Sequence, residues 1–150
     1  MERAANDTTF HEIGRDCIGG RLRLLNRVVT NLYDDALRPL GVKVSQMNIL
    51  IAAARLGTAE PAQVCRILQL DLSTLSRNLE RMRTRGWIET VPDPDGRAHP
   101  FRVTDRGREL LQKAYPAWQQ AQQQAGDLLG GEGVTLLARA VRHVAGRLER

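Results

Sequence analysis

The sequence predicts a mainly α chain that carries one small β-hairpin, an α+β arrangement with helices on both sides of the hairpin. Three observations lead there. Apolar residues recur at spacings of three and four over 18–36 and again over 134–148. Residues 60–85 divide into two short helical segments across a three-residue turn, Gln69-Leu70-Asp71. Two short β-type segments, WIETV at 87–91 and FRVT at 101–104, then bracket the turn-rich connection PDPDGRAH.

Residues 11–37 are predicted as one long helix. Its stripe is Ile18, Leu22, Leu25, Val29, Leu32 and Ala36. Gly19 and Gly20 each weaken it by about 1 kcal/mol relative to Ala and allow either close helix approach or a kink. Pro39 and Gly41 end it. Ser45 is expected to cap the next helix, which Gly57 closes and whose nearly continuous apolar character predicts burial. Pro61 suits the first turn of the following helix, with Val64, Ile67 and Leu68 facing inward. The third short helix runs to about Arg85, where Gly86 stops it. Pro92, Pro94 and Pro100 exclude helix from the hairpin. A helix resumes at Asp105, capped by Thr104 or Asp105, kinked at Pro116 and broken by GGEG at 130–133. The last helix carries Val134, Leu137, Val141, Val144 and Leu148 on one stripe.

At 150 residues the chain fits one domain with a real core. It has no apolar run of about 18 residues, so no membrane-spanning helix is expected. The polar N-terminus lacks the apolar segment of a secretion signal, and a cytoplasmic location follows as the expectation. Cys17 and Cys65 are far apart, lack metal-ligand spacing and read as thiols. Net charge is +5, and of the 22 Lys and Arg residues only Lys43 and Lys113 are lysines. Arginine suits phosphates and base edges, although a GC-rich coding sequence biases composition the same way. Where the arginines fall must decide.

They fall on the third short helix. Winding LSTLSRNLERMRTR (72–85) at about 100° per residue places Leu72, Leu75, Leu79 and Met82 in one narrow sector, facing the core. The opposite sector holds Ser73, Arg77 and Thr84, flanked by Thr74 and Arg81. Arg donates bidentately to guanine O6 and N7, while hydroxyls bond bases or phosphates. Asp71 is the expected N-cap, and the free amides of a helix start attract phosphate. An arginine-bearing face is often merely solvated. Here it lacks the usual Glu–Lys pairing, a second short helix precedes it, and a basic-tipped hairpin follows. Ser73, Thr74, Ser76, Arg77 and Arg81 are therefore the candidate DNA contacts of the helix.

A hairpin after a helix-turn-helix is a wing. Prolines and Asp-Gly stiffen its tip. Arg97 there suits the enhanced negative potential of a narrow minor groove, and Asp95 can hold it by a charge-assisted bond.

These residues resemble the MarR (multiple antibiotic resistance regulator) family of winged helix-turn-helix transcription factors. The matching stretches are LDLSTLSRNLERMRTRGWIE (70–89) and DPDGRAHPFRVTDRGREL (93–110), with the wing signature Asp95-Gly96-Arg97 followed by Val103-Thr104-Asp105-Arg106-Gly107. LRPLGVKVSQMNIL (37–50) resembles the family's link between its first two helices. The resemblance implies a single MarR-like unit over 1–150. Residues 11–38 and 105–150 would be dimerisation helices, and 45–104 the winged DNA-binding lobe. It further implies a bacterial homodimer, most often a repressor. Such a dimer reads a pseudo-palindromic site on double-stranded DNA and releases it when a small phenolic or lipophilic effector binds. No cofactor is implied. The chain departs from the pattern at Gly96, where many relatives carry a second Arg. Lysines often found near the wing are absent, leaving Arg102, Arg106 and Arg108 as substitutes and Arg102 as a third wing candidate.

One branch of the family senses peroxide through a cysteine near the start of the first helix, the region of Cys17. That makes a thiol-based redox regulator one alternative. A winged-helix module that binds protein is the other, although such a module should show apolar or acidic residues over 73–84. His11, His99 and His143 are scattered, so no metal site is predicted. Ser73 and Ser76 have no nearby His base and there is no Gly-rich phosphate loop, so no enzyme is expected.

Overall fold

The computed structural model describes residues 2–93, 96 and 98–148. Helices α1 (Glu2–Asp16) and α2 (Ile18–Leu37) lead through a 3-10 turn (Arg38–Leu40) into α3 (Val44–Leu56), α4 (Pro61–Leu68) and α5 (Leu72–Thr84). Strands β1 (Ile88–Thr90) and β2 (Phe101–Val103) form an antiparallel hairpin, and α6 (Asp105–Leu148) completes the chain. The fold is mainly α with a two-stranded wing. No helix among the described residues is long and apolar enough to cross a membrane.

The helix predicted over 11–37 is two helices. Helix begins already at Glu2, and the chain breaks at Cys17, whose ψ of 107° is extended. The break falls before the Gly19-Gly20 pair because Cys17 acts as an N-cap: its Sγ accepts from the Gly20 amide at 3.3 Å. Ser45 is not the cap of α3, which starts one residue earlier. Two side chains hold that start. Asp34 accepts from the Val44 amide at 2.8 Å, and Gln46 accepts from the Lys43 amide at 3.1 Å. Asp34 lies on α2, so a tertiary contact fixes a helix boundary that local sequence assigns to a serine.

The lobe's core gathers Leu37, Ile49, Leu50, Val64, Leu75 and Met82 with Ile88 and Phe101, all at or below 2 % exposure. Burying each large apolar side chain contributes about 1.5–3 kcal/mol. Ile67 does not join them; it is 56 % exposed, because the inward face of α4 centres on Val64, Cys65 and Leu68 and Ile67 lies at its edge. Ala59 exchanges two backbone hydrogen bonds with Phe101, at 2.8 and 2.9 Å. This third rung ties the α3–α4 connection to the wing and sits in a segment too short to read as a strand.

Helical structure passes through Pro116 and is interrupted at Gly130, where φ is 68° and ψ is 162°. Only Gly130 of the GGEG run leaves the helix. The half of α6 before it packs along α2 and carries the small buried residues Ala114, Ala121 and Ala125. Beyond it, Val134, Leu137, Val141 and Val144 are 40–59 % exposed, as are Ile18 (72 %) and Leu22 (56 %) on α2. The two predicted stripes therefore exist, but within one chain much of their apolar surface has no cover.

Candidate nucleic-acid interface

Helices α4 and α5 are joined as the sequence predicts. Gln69 takes a left-handed conformation at φ 51°, and the Leu70 amide bonds the Cys65 carbonyl at 3.0 Å. Asp71 then caps α5, and Gly86, at φ 71°, follows its end. Leu75, Leu79 and Met82 hold the inner face at 0–7 % exposure. Leu72 does not. It is 60 % exposed, because the first residue of α5 projects beyond the core that its sector faces one turn later.

The outer face carries Ser73, Ser76, Arg77 and Arg81, all exposed, with Thr74 partly buried. No described residue forms an ion pair with Arg77 or Arg81. Arg83 is paired with Glu80 at 2.7 Å, and Arg85 is pinned, donating to the Gly41 carbonyl at 3.0 Å with its guanidinium 5.1 Å from the Trp87 ring centroid. The helix thus presents two unpaired guanidiniums on the predicted face, the groups a groove or a phosphate would meet.

The hydroxyls at the start of α5 are not idle. Ser73 Oγ donates to Asp71 Oδ1 at 2.6 Å, Thr74 Oγ1 donates to Asp71 Oδ2 at 2.7 Å, and the Thr74 amide donates to Oδ1 at 2.7 Å. The Ser73 hydroxyl first, then the Thr74 hydroxyl and amide, hold this carboxyl far below the usual carboxylate range. The phosphate-attracting amide end predicted for α5 is therefore already occupied by a negative charge.

The wing candidates divide. Asp95 and Arg97 lie outside the described residues. Arg102 is exposed and bonds Glu89, its cross-strand partner, at 2.5 Å. Nearer the strands, Asp93 accepts from the Ala98 amide at 2.8 Å and the Val91 amide donates to the Pro100 carbonyl at 2.8 Å, which narrows the hairpin.

The root of the wing is the feature whose reason sequence reading missed. Thr104 Oγ1 donates to the Gly86 carbonyl at 2.6 Å and accepts from the Gly107 amide at 3.1 Å, so one hydroxyl caps α6 and ties it to the end of the α5 turn. A Cβ on Gly107 would lie 2.2 Å from the Trp87 carbonyl oxygen. The Thr-x-x-Gly spacing was legible as a signature; its steric reason was not.

Cys17 is exposed and Cys65 partly buried against the core. Tyr33 is 16 residues along α2 from Cys17, about 24 Å at 1.5 Å per residue, and its hydroxyl bonds Gln122. Within one chain it is no partner for the thiol. No group of three or more potential metal ligands occurs among the described residues.

Comparison with known proteins agrees with this architecture. Residues 40–98 match the MarR family. The multiple antibiotic resistance protein MarR of Salmonella typhimurium is 27 % identical over 99 residues, spanning 65 % of this chain and 69 % of that protein. The regulator PecS of Dickeya dadantii is 24 % identical over 98 residues, 63 % of this chain and 59 % of that protein. A mutant Escherichia coli MarR solved in complex with operator DNA superposes with a TM-score of 0.77 at 21 % identity, over 89 % of this chain and 96 % of that one. A probable transcriptional regulator from Pseudomonas aeruginosa gives a TM-score of 0.75 at 25 % identity, over 86 % and 97 %. The helix-turn-helix and the wing thus lie in the segment, residues 40–98, that matches the MarR family, and most of the chain shares the fold of these solved regulators.

Proposed function

We propose that the protein is a homodimeric repressor that binds a pseudo-palindromic operator and releases it when a small phenolic or lipophilic effector binds. The observation that carries DNA recognition is the exposed outer face of α5, where Arg77 and Arg81 stand unpaired among hydroxyls. Ser73, Thr74, Ser76, Arg77 and Arg81 form the groove-reading set. Arg102 adds a charge on the wing, and Asp95 and Arg97 join on sequence grounds. The operator-bound Escherichia coli relative, and a related structure described as the multiple antibiotic resistance repressor, support the operator and the sign of regulation.

The uncovered apolar surface on α2 and on α6 beyond Gly130 supports the dimer. Contiguous exposed apolar surface of this kind marks association. Residues 11–38 and 105–150 are the proposed dimerisation segments and 45–104 the DNA-binding lobe. A cavity of about 450 Å³ supports effector control: it is lined by Ser76, Leu79 and Arg83 of α5 and by Ala98 and His99 of the wing. A ligand there would change the spacing of the two DNA-facing elements.

The test is fluorescence anisotropy with the DNA upstream of the protein's own gene, at about 0.15 M salt and with excess nonspecific competitor. Competitor-resistant binding with two protomers per site is expected. Arg77→Ala should weaken it by roughly 10- to 100-fold if the guanidinium makes a bidentate base contact. Equal binding by both proteins would remove Arg77 from the interface.

A further inference from the structure

The first turn of α5 has a hydrogen-bond polarity fixed by its own cap. A carboxylate accepts and has no proton to give, so in both side-chain contacts with Asp71 the hydroxyl is the donor. A hydroxyl carries one proton and two lone pairs, and once the proton is committed it can only accept. Ser73 and Thr74 use different oxygens of Asp71, so neither displaces the other. No described cation pairs with Asp71, and its negative charge stands at the helix end where a phosphate would otherwise be drawn.

We propose that Asp71 is a specificity-determining positioning residue. By taking the Ser73 and Thr74 protons it makes the first turn of α5 an acceptor surface that selects a base edge bearing an amino group. In the major groove that is adenine N6 or cytosine N4; guanine N7 and O6 and thymine O4 are acceptors and would face lone pairs. Ser73 leads, being exposed where Thr74 is half-buried. The same carboxylate turns phosphate away from this turn, which leaves backbone contacts to the arginines. The inference rests on the DNA-binding reading above.

Asp71→Asn isolates the effect, because Asn caps a helix about as well as Asp. Its single oxygen, in the place of Oδ1, keeps the Thr74 amide and the Ser73 hydroxyl, and its NH₂, in the place of Oδ2, donates to the Thr74 hydroxyl, which then points its own proton outward. Wild type, Ser73→Ala and Asp71→Asn are compared by selection from a library randomised across the bound site and by affinity for random-sequence DNA. Wild type should select A or C at the positions facing Ser73 and Thr74 in each half-site, and Ser73→Ala should lose the preference at the first. Asp71→Asn should shift the position facing Thr74 towards G or T, keep the preference set by Ser73, and bind random-sequence DNA roughly three- to tenfold more tightly. If adenine is selected at the position facing Ser73, replacing it there with purine, which lacks the amino group, should weaken wild type by roughly three- to tenfold and leave Ser73→Ala unchanged.

Selection of G or T by wild type, or an Asp71→Asn protein with unaltered preference and unaltered random-sequence affinity, overturns the inference. In either case competitor-resistant wild-type binding that Arg77→Ala weakens keeps the DNA-binding reading intact. Absence of competitor-resistant binding by wild type overturns both.

Discussion

Gly107→Ala should loosen the wing from the body of the protein. The added Cβ would sit 2.2 Å from the Trp87 carbonyl oxygen and 2.7 Å from Val103 Cγ1. Relief needs a movement of about 1 Å to restore ordinary contact, and overpacking of this kind costs about 1–3 kcal/mol or more. The oxygen cannot simply retreat. It accepts from the Thr104 amide at 3.0 Å, while the Trp87 amide is held by the Met82 carbonyl at 3.0 Å. Weakening the Thr104 bond adds about 1 kcal/mol, and the better helix propensity of alanine returns about as much. The clash is with backbone on one side, so the net cost should lie near the upper end, about 3 kcal/mol. For a domain of this size that lowers Tm by about 6–12 °C. Thermal unfolding followed by circular dichroism measures it, at fixed protein concentration because self-association would itself shift Tm. Gly126→Ala is the matched control, since it lies in the same helix with nothing within 4 Å of its Cβ position. It should melt no lower than wild type. A Gly107→Ala protein melting within about 2 °C of wild type would refute the steric account of the wing root.

Two further outcomes are expected. Asp71, held below the ordinary carboxylate range by the Ser73 and Thr74 hydroxyls, contributes stability that is complete above its unfolded value near 4 and is lost as pH falls through its lower folded value. Urea midpoints of wild type and Asp71→Asn should therefore converge between about pH 5 and pH 2, and parallel curves would show that the hydroxyls do not stabilise the ionised form. Val141→Glu places a charge on the uncovered stripe of α6, where Val141 is 59 % exposed. Sedimentation should move from the mass of two chains towards one, with helix content retained; an unchanged mass would take this face out of the interface.

Local chemistry made most of the winged lobe readable from the sequence. Asp71, Gly86, Pro61 and Gly57 act through their own backbone or the adjoining turn, so the ends of α4 and α5, and where α3 stops, follow from residues within a few positions. The three-four periodicity likewise marked which side of α5 turns inward. It misjudged Leu72 and Ile67, because a sector says which way a side chain points and not whether the core extends that far. Tertiary structure decided the rest. Asp34 on α2 starts α3; Ala59 pairs with Phe101 42 residues later; the Trp87 carbonyl requires a glycine at position 107. Each joins residues distant in sequence. The same is true of which arginines remain available: Arg77 and Arg81 differ from Arg83, Arg85 and Arg102 not in residue type but in whether Glu80, Gly41 or Glu89 lies within reach. The chain by itself determined the elements and the chemistry they display; packing determined which of those groups are spent within the fold and which stay free to meet a partner.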